Sequence, residues 1–396
     1  MKLINVNFDN INTNTHRSGW PFIIKQLLEK LNKKILLVDY MDCYFGRQFD
    51  SIKNINIGNN SYMFFLKDAY YHINDKLKSD VFINIDNYGF KTFIKWYPEY
   101  NEFKIMRGEL MTKFIKKYNI RIINEPWIGI IHYPEFPKEM NYNSLEELTQ
   151  IVKSSHFRQS IKYCIGIISL SDHLKTYVEK IFSELKYDIP NIQNIPNIQN
   201  IPIKTILHPT DFNCVKFDIN KFKSNKTKSI IQLGFWLRDM KTIYQIKTTK
   251  YQKIWLPGGK YWKEMFQIIY PNYQKYLNDS SVKIPGFLSN NEYDELLGKN
   301  ICLLNVFNSS ANNTVLECIV RNTPLLVNRN PAIIEYLGAD YPLYFTDIND
   351  LNKLINSKKF KKMIIKTINY LENLDKTKFH IDYFIAEVED FIAHIL

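Results

Sequence analysis

Cysteine, glycine and proline are all scarce in this 396-residue chain: five Cys, 13 Gly and 15 Pro. The cysteines, Cys43, Cys164, Cys214, Cys302 and Cys318, form an odd set with no C-x-x-C pair and no Cys/His run at zinc spacing. That argues against a disulfide framework or a structural zinc site and predicts reduced, mostly buried thiols. With so little glycine and proline, and no long period, a collagen-like or repeat-dominated chain is excluded. No apolar run approaches the ~20 residues that span a bilayer, and the best candidate, Cys164 to Leu170, is far too short. The N-terminus, Met1 to Asn7, enters a strand-like pattern directly, without the apolar stretch and small-residue cleavage site of a signal peptide. The expectation is a cytoplasmic protein, with peripheral contact to a membrane left open.

What is present points to a folded protein. Hydrophobic residues make up 45% and charged residues 23%, near the globular average, and aromatics reach 15%, which excludes a wholly disordered chain. Fifty-two basic against 40 acidic residues give a net charge of +12. A basic excess suits an anionic partner: nucleic acid, a membrane surface or a phosphorylated small molecule. The lysines are spread along the chain beside Asn and Ile, which a biased composition also explains. No nucleic-acid motif or basic–aromatic stripe stands out, so nucleic acid is not expected as a partner.

Short aliphatic runs alternate with helix-period segments. Strands are expected at Lys2–Asn7, Lys34–Asp39, Val81–Ile85, Arg121–Asn124, Ile128–His132, Ile165–Leu170 and Lys204–His208, with helices at about Pro21–Leu31, Phe103–Tyr118 and Ser144–Ser155. Between Asp188 and Pro202 the hexamer Asn-Ile-Gln-Asn-Ile-Pro occurs twice in succession, as a surface loop whose prolines forbid a helix or central strand. A second series places strands at Ser229–Leu233, Lys253–Leu256, Val282–Ile284, Ile301–Val306 and Pro324–Val327. Its helices are expected at Asn291–Leu297, Thr314–Arg321, Pro331–Leu337, Ile348–Ile355 and Lys376–Leu396. This alternation predicts an α/β protein of two Rossmann-like domains, 1–219 and 230–375, joined by a lysine-rich linker at 220–229 and followed by a C-terminal helix, 376–396. Ligands in such sheets bind beyond the carboxyl ends of the strands, in the cleft between halves.

The polar loop Asn308 to Asn313 opens a helix, so free backbone N–H groups and the positive helix end would face that cleft. Such an end is an anion site of the kind a diphosphate takes. Asn322 suits a left-handed C-cap, and Pro331 and Gly338 bracket the next helix. Several residues carry two readings. Thr314-Val315-Leu316-Glu317 fits a capping box, in which Glu317 serves the helix itself and not a ligand. His132, ending an apolar strand, is either a core histidine or a functional one. His16, Arg17, Arg238 and Lys241 are either solvated or bind anions. Lys113, Lys116 and Lys117 either dock on anionic lipid or form a plain solvated face. Asp86, Glu125 and Glu135 are carboxylates near strand ends, none singled out.

The order strand, Gly286-Phe287-Leu288-Ser289, helix, strand, polar loop, Leu316-Glu317-Cys318-Ile319 and Asn322-Thr323-Pro324-Leu325-Leu326-Val327-Asn328 resembles the donor-binding half of GT-B glycosyltransferases. It is most similar to the large retaining family with two glutamates separated by seven residues. The resemblance implies two facing Rossmann-like domains with the C-terminal helix returning toward the first. Glu317 matches the second glutamate, which binds ribose hydroxyls. Gly286, Phe287 and Leu288 match the base-contacting loop, and Asn312, Asn313 and Thr314 the diphosphate-binding amides. Gly234, Arg238 and Lys241 lie where that family has a glycine loop followed by phosphate-binding Arg and Lys. His16, Arg17 and Gly19 resemble its acceptor-side loop, and His132 its histidine near the donor sugar.

The implied activity is transfer from a nucleotide diphosphate sugar to a glycan, lipid-linked or protein hydroxyl acceptor, with retention and with neither metal nor other cofactor. Family frequency favours UDP over GDP. Ser309 stands where the first glutamate would be, which keeps open a catalytically inactive nucleotide-sugar binder, and an epimerase or hydrolase on the same fold is a further alternative.

Overall fold

The computed structural model describes residues 2–4, 23, 26, 27, 29–31, 36–38, 41–46, 62–64, 83–85, 123–137, 147–153, 155–188, 198–258, 262–286 and 288–396. In the N-terminal half the strands β1 (Lys2–Ile4), β2 (Leu36–Val38), β5 (Trp127–Ile131), β6 (Cys164–Ser169) and β7 (Ile203–Thr205) form a parallel sheet in that order. Helix α1 (Met41–Gly46) follows β2, and α2 (Asp172–Asp188) follows β6. Alternation along β5 divides two cores, as the two-residue repeat of a strand requires. Trp127 and Ile131 face Phe45, Phe157 and Phe182. Ile128 and Ile130 face the opposite side, with Ile168 and Leu170.

Two of the expected strands differ. Residues Ile83–Ile85 (β4) pair antiparallel with β3 (Tyr62–Phe64) outside the parallel sheet. In 121–124, the described residues 123 and 124 are not a strand. The Ile123 amide instead donates to Ser160 Oγ at 3.0 Å, and Pro126, with no N–H, ends any ladder before β5.

The segment expected as a linker holds a helix, α3 (Ile219–Ser224). Asp218 caps it by accepting from the amides of Asn220 and Lys221, and Phe222, 2% exposed, enters the C-terminal core. One buried aromatic suffices to fold a segment whose other side chains are lysine-rich.

The C-terminal sheet has six parallel strands in the order β10 (Val282–Lys283), β9 (Gln252–Leu256), β8 (Ser229–Leu233), β11 (Ile301–Leu304), β12 (Leu325–Asn328), β13 (Tyr344–Phe345). The chain winds outward from β8 to β10, then returns to lay β11 against the other side of β8. That reversal opens a crevice beyond the carboxyl ends of β8 and β11. The helices are α4 (Asn290–Leu297), α5 (Asn313–Arg321), α6 (Pro331–Leu337), α7 (Ile348–Asn356) and α8 (Phe360–Asn373). Asn322 ends α5 at φ 60°, and Gly338 ends α6 at φ 83°. Cys164, Cys302 and Cys318 are free and buried; burial pushes the Cys164 thiol up to about 12.

The last helix, α9 (Ile381–Ile395), returns to the first half. Phe384, Ile385, Val388, Phe391 and Ile392 complete the core over Ile128, Ile130 and Ile168. Lys204 bridges Glu387 at 3.0 Å and Asp390 at 2.9 Å. The two chain crossings between the halves lie side by side: Thr210 N donates to Phe379 O at 2.9 Å, and the Phe212 and His380 rings stack at 3.8 Å.

Gly166 makes the α9 docking testable, because a Cβ there would lie 2.8 Å from the Phe391 ring. Gly166→Val is expected to cost about 1–3 kcal/mol by overpacking, read as a lower midpoint in urea unfolding. An unchanged midpoint would mean that α9 does not press on β6.

Candidate functional site

The loop after β8 is built around one side chain. Gly234 has φ +71°, and a Cβ at that position would overlap the Arg238 guanidinium. Leu237 also takes a left-handed conformation, φ 55°, an uncommon one for a residue with a side chain. These turns bring Arg238 back under its own strand. Its Nη1 donates to Leu233 O at 2.7 Å, and its Nη2 to Asn312 Oδ1 and Thr314 Oγ1, each at 3.3 Å. The loop after β11 is fastened alongside: Asp239 N donates to Asn305 O at 2.8 Å and Phe307 N to Leu237 O at 2.9 Å. Arg238 thus sits at the reversal point of the sheet. Burial pushes its pKa down to about 10, against the pull of Tyr293 and Glu317, which leaves it charged at neutral pH.

Helix α5 begins beside that guanidinium. Asn312 is its N-cap, at φ −140°, accepting from Thr314 N at 3.0 Å. The capping box from Thr314 to Glu317 therefore does not form, since Thr314 already lies within the helix. Glu317 is buried, 9% exposed, and accepts a 2.6 Å hydrogen bond from the Tyr293 hydroxyl. Burial and this carboxylate hold the Tyr293 phenol well above its usual range. The neighbouring residues on the same two helices, Asp294 and Arg321, form an ion pair at 2.6 Å, 5% and 3% exposed. Together these contacts fix α4 against α5.

The remaining expected donor residues are placed less closely. Asn313 is the first residue of α5. The Lys241 ammonium lies over the Tyr270 ring, 5.2 Å from its centroid, and Tyr270 in turn donates to Asp239 Oδ1 at 2.6 Å. Gly286 and Leu288 belong to the loop between β10 and α4. A Cβ at 286 would meet nothing within 4 Å, so no close approach requires glycine there. The loop leads to Ser289, which caps α4 in a box with Glu292 and so starts the helix that carries Tyr293. Phe287, His16, Arg17, Gly19, Asp86, Lys113, Lys116 and Lys117 lie outside the described residues. Glu125 precedes β5, at the opposite end from His132.

His132 lies where the carboxyl ends of the two sheets meet. Its amide and that of Tyr133 donate to the buried Asp42 carboxylate at 2.7 and 2.6 Å. Its carbonyl accepts from Ser310 Oγ, on the loop after β11. Asn308 Nδ2 donates to Glu135 O at 2.9 Å, and Asn308 Oδ1 lies 3.1 Å from His173 Nε2. Glu335 accepts from the Asp172 and His173 amides at the start of α2, at 2.7 and 2.8 Å. Tyr336 donates to Leu170 O at 2.7 Å and accepts from His208 N at 2.9 Å. Ser309, at the first-glutamate position, donates to Ala311 O at 3.3 Å within its own loop.

A small crevice beside this seam is lined by Ser309, Asn312, Val315, Ile333 and Tyr336, all of the C-terminal half. Among the described residues no three His, Cys, Asp or Glu side chains cluster to hold a metal.

Tyr293, Asn308, Ser310, Glu335 and Tyr336 were missed from sequence. A tyrosine at the first turn of the helix after the Gly286 loop was the one signal for Tyr293. The others join residues more than 100 positions apart and left no local pattern.

No protein-family model matches the chain, and no curated protein matches its sequence. Solved structures do. The structure of sucrose-phosphate synthase from Thermosynechococcus elongatus is similar over 100% of this chain and 98% of that one, with a TM-score of 0.54 and 10% identity. Anabaena HepE, solved in complex with UDP-glucose, matches over 78% of this chain and 90% of its own, with a TM-score of 0.49 and 10% identity. The HepE likeness is too coarse to build on. The fold is GT-B, two parallel α/β sheets meeting at their carboxyl ends.

The seam histidines make it sensitive to acid. Burial, then His208, holds His132 well below its usual range, and burial pushes His208 to about 4 from 6.5. Both are neutral in the fold, while the unfolded chain binds a proton near pH 6.5. Stability is therefore constant in this respect above pH 6.5 and falls as pH drops toward 4, by up to about 3 kcal/mol for His208. Urea midpoints between pH 7 and 4.5 are expected to fall more steeply for the wild type than for His208→Gln; parallel curves would refute the assignment.

Proposed function

We propose that this chain is a glycosyltransferase that moves a sugar from a nucleotide diphosphate sugar, UDP-linked in preference to GDP-linked, to a hydroxyl acceptor. The reading includes retention of configuration and no metal. The observation that carries it is the half-buried Arg238 guanidinium at the reversal point of the C-terminal sheet, hydrogen-bonded to the cap of α5. Glycosyl transfer from a diphosphate demands a group that receives negative charge as the sugar–oxygen bond breaks. Preorganised charge in a site shielded from water serves that demand better than surface lysines. Arg238 and the amide of Asn313 would take the diphosphate, the Thr314 amide being held by the Asn312 cap.

Glu317, held by Tyr293, would accept from the ribose hydroxyls. His132, with its backbone anchored by Asp42, would line the sugar end of the cleft as a neutral imidazole. The two halves would part to admit the donor and close to exclude water from the reaction. The acceptor, whether glycan, lipid-linked or protein, would enter from the N-terminal half. The full-length similarity of fold to a sucrose-phosphate synthase supports this reading.

A second reading is a nucleotide-sugar binder without transfer activity. Ser309 favours it, because its hydroxyl is turned into its own loop and offers no carboxylate to the sugar.

A thermal-shift panel of UDP, GDP, dTDP, ADP and their sugar conjugates tests the proposal. Saturation at about 100 times the dissociation constant adds about 2.7 kcal/mol of stability, a clear melting shift, and no shift with any member would overturn both readings. Release of nucleoside diphosphate with acceptor present separates the active enzyme from the binder. Arg238→Gln is expected to weaken nucleoside diphosphate binding about 10- to 100-fold in calorimetry, the range of a charged hydrogen bond.

Tyr293→Phe is expected to weaken the nucleoside diphosphate about tenfold while leaving inorganic pyrophosphate unchanged. Equal losses for both would show that Tyr293 does not act through the nucleoside.

A further inference from the structure

The end of the C-terminal sheet opposite the cleft is rich in exposed lysine, and it serves nothing in the proposed reaction. Three lysine-bearing turns converge there. Lys223 and Lys226 are exposed in the turn from α3 into β8. Lys247 and Lys250 are exposed in the turn before β9, which is joined to the first by Gln252 N donating to Lys228 O at 2.9 Å.

The third turn, between α7 and α8, exposes Lys358 and Lys359, and the first turn of α8 exposes Lys361 and Lys362. It packs on the second: Asn356 Nδ2 donates to Lys247 O at 2.8 Å, and the Tyr251 and Phe360 rings meet edge-on at 5.9 Å. None of these lysines forms an ion pair among the described residues, whose pairs lie elsewhere.

The nearby carboxylates are turned away or occupied. Asp218 caps the far end of α3, Glu295 is paired with Lys299 at 2.5 Å, and Asp279 accepts from Ser281 N at 2.9 Å. Asp347 and Asp350 stand at the start of α7, whereas the lysines follow its end. Glu372 and Asp375 stand at the far end of α8.

Amid this charge one large apolar side chain is exposed. Ile365, 38% accessible, lies one turn along α8 from Lys361 and Lys362, on the same face of the helix. An apolar side chain ringed by unpaired lysines suits an interface that offers both anionic headgroups and a hydrocarbon boundary. Nucleic acid offers the first alone.

We propose that this end of the C-terminal half docks on an anionic phospholipid bilayer. Strand β8 runs from that end to Arg238, about 17 Å away over its five residues. The docked protein therefore holds its cleft away from the headgroups, and its small substrates enter from the aqueous side. This inference does not depend on the glycosyltransferase reading.

Co-sedimentation of the full chain with phosphatidylcholine vesicles, with and without phosphatidylglycerol, tests it. The wild type is expected to bind only the anionic vesicles and to release at high salt. Lys250→Glu with Lys361→Glu is expected to lose about tenfold or more in apparent affinity. Lys175→Glu with Lys180→Glu, the same change in net charge on α2, is expected to retain wild-type binding. Melting temperatures of both variants confirm that they are folded. Failure of the wild type to bind anionic vesicles would overturn the proposal, as would equal losses in the two variants. Binding to duplex DNA without binding to vesicles would overturn it in favour of a nucleic-acid surface.

Discussion

A guanidinium taken out of water must be given hydrogen-bond partners, or its desolvation destabilises the fold. Arg238 meets that constraint at its two Nη atoms, its Nε having no partner among the described residues, and much of the C-terminal half follows from how. One partner is the carbonyl that ends β8, which forces the loop to double back through Gly234, where no Cβ fits. The other two are Asn312 and Thr314, which hold the start of α5 against the same loop. Asn312 has two roles: one side-chain oxygen caps the helix and receives the arginine. The positive helix end and the positive side chain are thus fixed side by side at the one place where the strand order reverses.

Where their carboxyl ends meet, the two halves share one aromatic cluster, Trp236 of the C-terminal half against Tyr133 and Phe136 of the N-terminal half, with ring centroids 6.0 and 5.9 Å apart. Beside it lie single hydrogen bonds, most of them from a side chain of one half to backbone of the other: Ser310 to His132, Glu335 to Asp172 and His173, Tyr336 to Leu170 and His208. Water replaces such bonds at small net cost, about 1 kcal/mol each. On the other side, α9 is packed into the N-terminal core by five buried apolar residues. The halves are therefore joined at the cleft by hydrogen bonds and one aromatic cluster, and strapped again where the chain crosses.

Much of this was legible in the sequence. Runs such as Ile301–Leu304, apolar and buried at every position, announce central parallel strands because only strands covered on both faces are apolar throughout. Asn322, Pro331 and Gly338 marked helix ends correctly, since each owes its place to its own backbone preference. The start of α5 was open in the sequence because Asn312 and Thr314 are both good caps; the helix takes Asn312, and Arg238, 74 positions away, holds both side chains. Lys241, expected beside Arg238 on phosphate, lies over Tyr270, an aromatic that directly follows a helix the sequence reading did not assign. The helix within 220–229 was not legible, because composition averages over the one buried side chain, Phe222, that anchors it.

The central claim is that a nucleoside diphosphate occupies the cleft over Arg238 and the start of α5. Amide hydrogen exchange of the full chain, with and without saturating UDP, tests it most directly. Slower exchange is expected in residues 234–238 and 311–316 and little change at the lysine-rich end of the sheet. Protection confined to other segments would contradict the account.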